Sequence, residues 1–370
     1  MGMAPVGASG VRHHGRRAPR QDPLRTAGCG MGMPSLQGDR RYRAGAGGKP
    51  RRRCEVARMN GRLLKVSAPG KLVLMGEYAV RDGAPALVAA LDRRVEVEVP
   101  SESDENGLPN RARRMAARLM GLCAPPEPCR ADSTPLHAGS EKLGLGSSAA
   151  VVVAAVGALF WEAGRDPVGA MQRQELFRVA HRVHDRLSGS RGSGVDVAAS
   201  LFGGMFFYRR TGNGSCRLQR WRRPPNLSLT FWWTGRSADT ARRLERVDRK
   251  RKESAVLDRL LLRMADCSRR FTKAETSRQC LELMQQYRRL MENLGDLAGF
   301  EMLGGRERRL ADLAEELGGA VKPSGAGGGD CLVAAFADGR AERRWVEAAS
   351  GSGLAKLRAE VDEKGLVKIA

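Results

Sequence analysis

From Leu63 onward, apolar and polar positions fall into blocks of two different periods. Leu63 to Ser67, Leu72 to Met75, Ala86 to Leu91 and Val95 to Val99 are short strand-like segments, and the last alternates valine with glutamate at the period of two that a half-buried strand requires. The short spacers between them predict antiparallel pairing. Residues 101–109 read as a polar loop, Arg111 to Leu122 as a basic helix, and Cys123 to Gly139 as a proline-containing connection. Next come Gly144-Leu145-Gly146-Ser147-Ser148 and twelve apolar residues, Ala149 to Phe160, which predict a turn opening a buried helix whose first turn a serine can cap. Asp166-Pro167 has the form of an N-cap followed by proline at the first helical position, so a long amphipathic helix is expected from there to about Leu187. Ser188 to Gly204 then reads as a glycine- and serine-rich loop carrying Asp196, and Gly204 to Arg209 as an aromatic strand.

The basic, proline-bearing tract Arg209 to Asn226 predicts a domain boundary. Beyond it the pattern gives a strand over Leu227 to Trp233 and helices over 238–265, 272–295 and 306–318, the first two broken. A second glycine-rich stretch, Gly325 to Gly329, leads into an apolar strand from Cys331 to Ala337, followed by a helix over 340–349 and short strands over 356–361 and 366–369. The expectation is an α+β protein with an N-terminal domain over 59–225 and a C-terminal domain over 226–370. Residues 1–58 lack an apolar period and read as a disordered basic leader; an arginine-rich targeting segment is one reading, and the favoured one is that the true start is Met59, after which organised sequence begins.

Charge changes the picture less than its size implies. The formal charge is +23, but residues 1–58 hold 13 Lys and Arg against 3 Asp and Glu, so +10 belongs to the leader and +13 to the remainder. Aromatic residues are only 5% and nowhere alternate with basic ones to make a base-stacking platform, which argues against a nucleic-acid partner and for a small polyanion. Eight cysteines without a CxxC pair or framework spacing read as reduced thiols of a cytoplasmic protein. The longest apolar run is too short for a membrane span of about 20 residues, so no membrane partner is expected.

A glycine-broken turn at a helix start presents free N–H groups to an anion. The chain has no GxxxxGK[ST] and lacks the protein-kinase glycine loop, HRD and DFG set. Gly144 to Ala149 fits GxGxx[GA], but no apolar strand precedes it, and Asp166 opens a predicted helix instead of closing a strand, so a dinucleotide fold is set aside.

Three ordered blocks resemble the motifs of the GHMP kinase superfamily, named for galactokinase, homoserine, mevalonate and phosphomevalonate kinases. They are Ala68-Pro69-Gly70-Lys71-Leu72 with Gly76-Glu77-Tyr78-Ala79-Val80, then Gly144 to Ala150, then Ser324 to Cys331. The resemblance implies a two-domain GHMP kinase fold, with an N-terminal ribosomal-S5-like nucleotide domain and a C-terminal ferredoxin-like α/β domain. Within the superfamily, Tyr78, Asp330 in place of a glycine, and Trp233 to Thr240 resemble the phosphomevalonate kinase pattern. That implies ATP with Mg²⁺, a phosphorylated small-molecule substrate, and transfer to 5-phosphomevalonate in isoprenoid synthesis; mevalonate kinase, another small-molecule GHMP kinase and an inactive nucleotide-binding regulator stand as alternatives. The chain is expected to act as a monomer or homodimer.

By this resemblance Lys71 and Asp196 are the catalytic pair. Lys142, Gly144, Leu145, Gly146, Ser147, Ser148 and Ala149 would take the nucleotide, with the Ser148 (or Ser147) hydroxyl on Mg²⁺. Tyr78 and Lys71 would meet the acceptor from the first motif, and Arg191, Ser193 and Gly194 from the loop before Asp196. Ser324, Gly325, Ala326, Gly327, Gly328 and Asp330 would do so from the third motif. A phosphate acceptor, with second pKa about 6, needs no strong base but does need cations, for which Arg191 and Lys71 are the candidates. Mevalonate kinases carry a Mg²⁺-binding glutamate on the helix before the aspartate, and by spacing His181 stands there; His181 and His184, three apart, read as helix-face residues and not as a zinc site.

Overall fold

The computed structural model describes residues 63–370 apart from 103, 168, 190, 191 and 213. The leader, the Met59 start and Arg191 therefore lie outside the described residues.

Two antiparallel sheets carry the structure. The first is built on a long pair, β1 (Leu64–Met75) and β2 (Ala86–Val99), to which β3 (Arg130–Asp132) adds at the far end of β2. The four strand segments expected here are thus two strands. Pro69 does not end β1, because a register shift between Pro69 and Gly70 absorbs it, as bulges do. Helix α1 (Leu108–Met120) and the two-residue strands β4 (His137–Ala138) and β5 (Glu141–Lys142) lead to α2 (Ser147–Glu162). From Ala149 to Phe160 every residue of α2 is buried, as expected for a helix that is apolar all round. It packs on β1 and β2 and is flanked by α1, α3 (Ala170–Ser188) and α4 (Val195–Phe202).

Two sequence expectations need correction here. Asp166 does not cap α3 and Pro167 is not its first residue. Gly169 is the N-cap; its carbonyl takes the first helical bond from Arg173 N–H (2.9 Å), while the Arg173 side chain holds the Pro167 carbonyl at 3.1 Å. The loop expected to run to Gly204 is cut short by α4, because Val197, Ala198, Ala199 and Leu201 are small or apolar enough to bury a helical face completely.

Strands β6 (Met205–Arg210) and β7 (Cys216–Arg220) complete the first sheet, the second of them within a tract expected to be irregular. The second sheet comprises β8 (Ser228–Trp233), β9 (Ala320–Ser324), β10 (Cys331–Phe336) and β11 (Ala355–Lys356). Between β8 and β9 run α5 (Thr240–Glu253), α6 (Ala255–Phe271), α7 (Ser277–Ala298) and α8 (Gly305–Glu316); α9 (Gly339–Gly351) joins β10 to β11. The first of the two helices expected to be broken does break, at Ser254 between α5 and α6, but α7 is continuous, secured at its start by a Thr276–Gln279 capping box. The sheet order β11-β8-β10-β9 with this connectivity is the ferredoxin-like arrangement. Finally β12 (Val367–Lys368) returns to pair with β1. No helix among the described residues is long and apolar enough to cross a membrane.

Candidate active site

Both glycines of the 144–148 turn are left-handed, Gly144 at φ 76° and Gly146 at φ 74°. Space confirms what conformation requires: a Cβ on Gly144 would stand 2.3 Å from Asp330 Cγ, and one on Gly146 would stand 3.0 Å from Lys71 Cε. Between them Leu145 is buried, and its carbonyl accepts from the Lys71 N–H at 2.9 Å, which fastens the turn to β1. Gly146 is the N-cap of α2 and no side chain caps it, so neither Ser147 nor Ser148 performs the capping role read from the sequence. The first-turn N–H groups of α2 stay available to an anion.

Lys71 lies along this turn, buried, with Nζ 3.3 Å from Asp196 Oδ1. Asp196 sits in the first turn of α4, whose N-cap Gly194 has φ 83°. Tyr208 Oη donates to the Ser193 carbonyl (2.6 Å), and Ser193 Oγ accepts from Val195 N–H (3.3 Å), so the segment that presents Asp196 is held from below and from within.

The third motif closes the other side. Ser324 Oγ accepts from Val73 N–H at 3.0 Å and Tyr78 Oη donates to the Ala326 carbonyl at 2.8 Å, tying the 324–330 stretch to β1 and the residues after it. Asp330 Oδ1 accepts from Ala238 N–H (2.9 Å), while the Asp330 carbonyl accepts from both Thr234 N–H (2.9 Å) and Thr234 Oγ1 (3.0 Å). Among the described residues Tyr78 (φ 61°) and Asp330 (φ 55°) are the non-glycine residues with positive φ. Both fall in this site, where strain is tolerated if surrounding contacts over-determine it.

Burial works against charge on Lys71, but Asp196 and then Asp330 outweigh it and hold its pKa above the ordinary value. Burial raises the Asp330 carboxyl, against the pull of Ala238 N–H, Lys71 and Arg243. Lys71, Asp196, Asp330 and two glycine turns thus converge, as do Ser148, Tyr78, Ser193 and Ser324 around them. Lys142 differs: it lies on exposed β5, where its carbonyl accepts from Ser237 Oγ at 2.9 Å.

On α3 the histidine facing the turn is His184, not His181. His184 Nε2 is 3.1 Å from Ser148 Oγ, whereas His181 Nε2 is directed to the Gly192 carbonyl (3.3 Å) and Asp185 (3.6 Å). Burial lowers the His184 pKa, only partly offset by Asp196 and Asp185. Among the described residues no group of three His, Cys, Asp or Glu gathers into a metal cage. The hydroxyl of Ser148 is a hard oxygen of the kind Mg²⁺ takes when phosphates and water supply its other ligands.

The sequence reading also passed over a buried ion pair, Glu77 with Lys322, which joins the end of β1 to β9. Its one visible signal is a lysine inside an otherwise apolar strand.

Comparison with known proteins identifies the family. A family model described as "GHMP kinases N terminal domain" matches residues 135–204, the span from the first glycine turn through Asp196. The chain is 32% identical to a phosphomevalonate kinase of Streptomyces sp. (strain CL190), over 72% of this chain and 88% of that protein. The chain belongs to the GHMP kinase family. A mevalonate kinase of Archaeoglobus fulgidus is 28% identical over 73% of this GHMP kinase and 91% of its own length. In fold, the chain superposes on Streptococcus pneumoniae phosphomevalonate kinase in complex with phosphomevalonate and AMPPNP, with a TM-score of 0.68 and 19% identity, covering 80% of this chain and 99% of that one. As a member of the family, the protein is a small-molecule kinase with the two-domain α+β GHMP fold.

Proposed function

We propose that this kinase transfers the γ-phosphoryl group of ATP to 5-phosphomevalonate, giving 5-diphosphomevalonate and ADP in the mevalonate pathway of isoprenoid synthesis. The observation that carries the chemistry is the Lys71–Asp196 pair, 3.3 Å apart beside an uncapped helix N-terminus. The likeness to a phosphomevalonate kinase at 32% identity supports the acceptor. We also propose a domain boundary at 225/226, supported by the passage from β7 of the first sheet to β8 of the second, with β12 crossing back to pair with β1.

Phosphoryl transfer depends on positioning and on neutralising charge. The N–H groups from Gly146 to Ala149 hold the β- and γ-phosphates. An oxygen of the acceptor phosphate attacks the γ-phosphorus, the bond from that phosphorus to the β–γ bridging oxygen breaks, and ADP departs. Lys71 places its cation where the two anions meet; Asp196 fixes Lys71 and keeps it charged. Ser148 Oγ would help to hold a Mg²⁺ ion, which would supply further charge neutralisation. A second reading, mevalonate kinase, is favoured by the 28% identical relative. It would require a proton to leave the acceptor hydroxyl, a step that an acceptor phosphate, already largely ionised at pH 7, does not need.

The test is ADP release with mevalonate, 5-phosphomevalonate, homoserine and galactose as acceptors. Phosphomevalonate should give the highest kcat/KM; equal or faster turnover of mevalonate would reject the assignment.

A further inference from the structure

The third glycine turn has a cation resting on it that neither the motifs nor the mechanism above uses. Arg243, on α5, lies against Gly328 so closely that a Cβ there would come within 1.6 Å of Arg243 Nη2. Its Nη1 donates to the Glu301 carbonyl (2.9 Å), and its Cζ stands 4.6 Å from the centre of the Phe300 ring. These contacts fix the plane of the guanidinium. The remaining N–H groups make no hydrogen bond within the described residues.

Its charge also lacks a close carboxylate. Arg81 is paired with Asp248 (2.7 Å), Arg251 with Asp82 (2.9 Å) and Asp258 (2.6 Å), and Arg236 with Glu307 (3.4 Å), whereas Arg246, like Arg243, meets only a backbone carbonyl, that of Gly299 (2.8 Å). Among the described residues no carboxylate pairs with Arg243. It is half-buried; burial, Arg236 and Arg246 work against its charge, with Tyr78 and Asp239 acting for it, and the balance lowers its pKa. A desolvated, unpaired cation is unfavourable unless an anion arrives. Arg243 and Lys71 both act on Asp330, and Tyr78 is a further neighbour of Arg243. Asp330 in turn lies against Gly144, and Lys71 against Gly146 at the uncapped start of α2, so the cation belongs to the same site.

Resting on the phosphomevalonate reading, we propose that Arg243 receives the phosphate the acceptor already carries, and so distinguishes a phosphorylated acceptor from an unphosphorylated one. A guanidinium held flat by a ring and a carbonyl presents its free N–H groups in the fork that matches a phosphate. Arg191, the cation expected for this task, lies outside the described residues; Arg243 fills the role from a different element.

The experiment is steady-state kinetics of the full chain with each acceptor, on wild type and on Arg243→Gln, Arg243→Lys and Phe300→Leu. Arg243→Gln should raise the KM for 5-phosphomevalonate on the order of 10- to 100-fold, leave the KM for ATP within about twofold, and shrink the preference over mevalonate by a similar factor. Arg243→Lys should recover part of that preference, and Phe300→Leu should lose a smaller part of it than Arg243→Gln, because the cation remains but its plane is less well held. Unchanged acceptor preference in Arg243→Gln would overturn the proposal, as would equal losses toward ATP and both acceptors. Should the glutamine variant fail to fold, full preference in Arg243→Lys would overturn it, and a partial loss confined to phosphomevalonate would support it. A wild type without preference for phosphomevalonate overturns the functional reading and this proposal together, whereas a preference that survives in Arg243→Gln overturns only the role of Arg243.

Discussion

Two buried lysines, each forming an ion pair with one carboxylate, sit in different surroundings in this molecule. Lys71 is 7% exposed, but its partner Asp196 has a side chain 34% exposed, and the two groups stand 3.3 Å apart. Lys322 and Glu77 are sealed, with side chains 0% and 2% exposed. Tyr287 covers them, its Oη donating to the Glu77 carbonyl at 2.6 Å. Electrostatics separates the pairs as well. Burial lowers the Lys322 pKa and raises that of Glu77, with mutual attraction only partly restoring charge, whereas Lys71 is held above its ordinary value by two carboxylates. On the proposed function, the pair that meets the substrate is the one left open on one side. A pair that fastens β1 to β9 admits nothing.

The strongest way to break this comparison is to remove the sealed lysine. Lys322→Met strands Glu77 in the interior and should cost about 3–5 kcal/mol of stability in denaturant unfolding. The sign with pH follows from Glu77, whose folded pKa is raised already and rises further without its cation. Its stabilising contribution is then full below the ordinary carboxyl value near 4.5 and is lost as pH rises through the folded value. The variant should therefore lose more stability relative to wild type at pH 8 than at pH 5; an equal loss at both would mean Glu77 is not the stranded group.

Asp196→Asn tests the open pair. It should lower kcat roughly 100-fold, at the low end of what a positioned acid–base group contributes, by weakening the hold on Lys71, while the melting temperature changes little. A variant that unfolds instead would make this a second structural pair. Next in size is Gly146→Val. The side chain would press on the stem of Lys71 and must adopt a positive φ, so the KM for ATP should rise on the order of tenfold. Retention of normal ATP affinity would remove this turn from the nucleotide site.

The smallest effect is expected at His184. Its folded pKa is lowered by burial, so its contribution is present above the unfolded value near 6.5 and fades as pH falls below it. Unfolding curves from pH 7.5 to 5.5 should show a shallower decline in His184→Gln than in wild type. Parallel curves would show that the imidazole by Ser148 takes up its proton as freely as in the unfolded chain.

The features legible in the sequence were local ones. Glycines at 144, 146, 325, 327 and 328 announced backbone that other residues adopt reluctantly, and each has positive φ. The apolar run after Ser148 announced a helix buried on all sides. What stayed hidden depends on register between distant strands and helices. Glu77 and Lys322 meet across 245 positions, Ser148 and His184 across 36, and Arg243 reaches Gly328 from another helix. No spacing rule brings such residues together. Local signals also failed where tertiary packing offered a better choice: Asp166-Pro167 has the form of a helix start, yet the first helical bond forms at Gly169.

The most direct measurement is a competition. With ATP, Mg²⁺ and equal concentrations of mevalonate and 5-phosphomevalonate supplied together, ³¹P NMR distinguishes a new phosphate monoester from a new diphosphate ester by the phosphorus–phosphorus coupling. The account predicts coupled signals of a diphosphate ester on the acceptor, growing in step with ADP, and no gain in monoester. Growth of the monoester signal ahead of the diphosphate ester would contradict it.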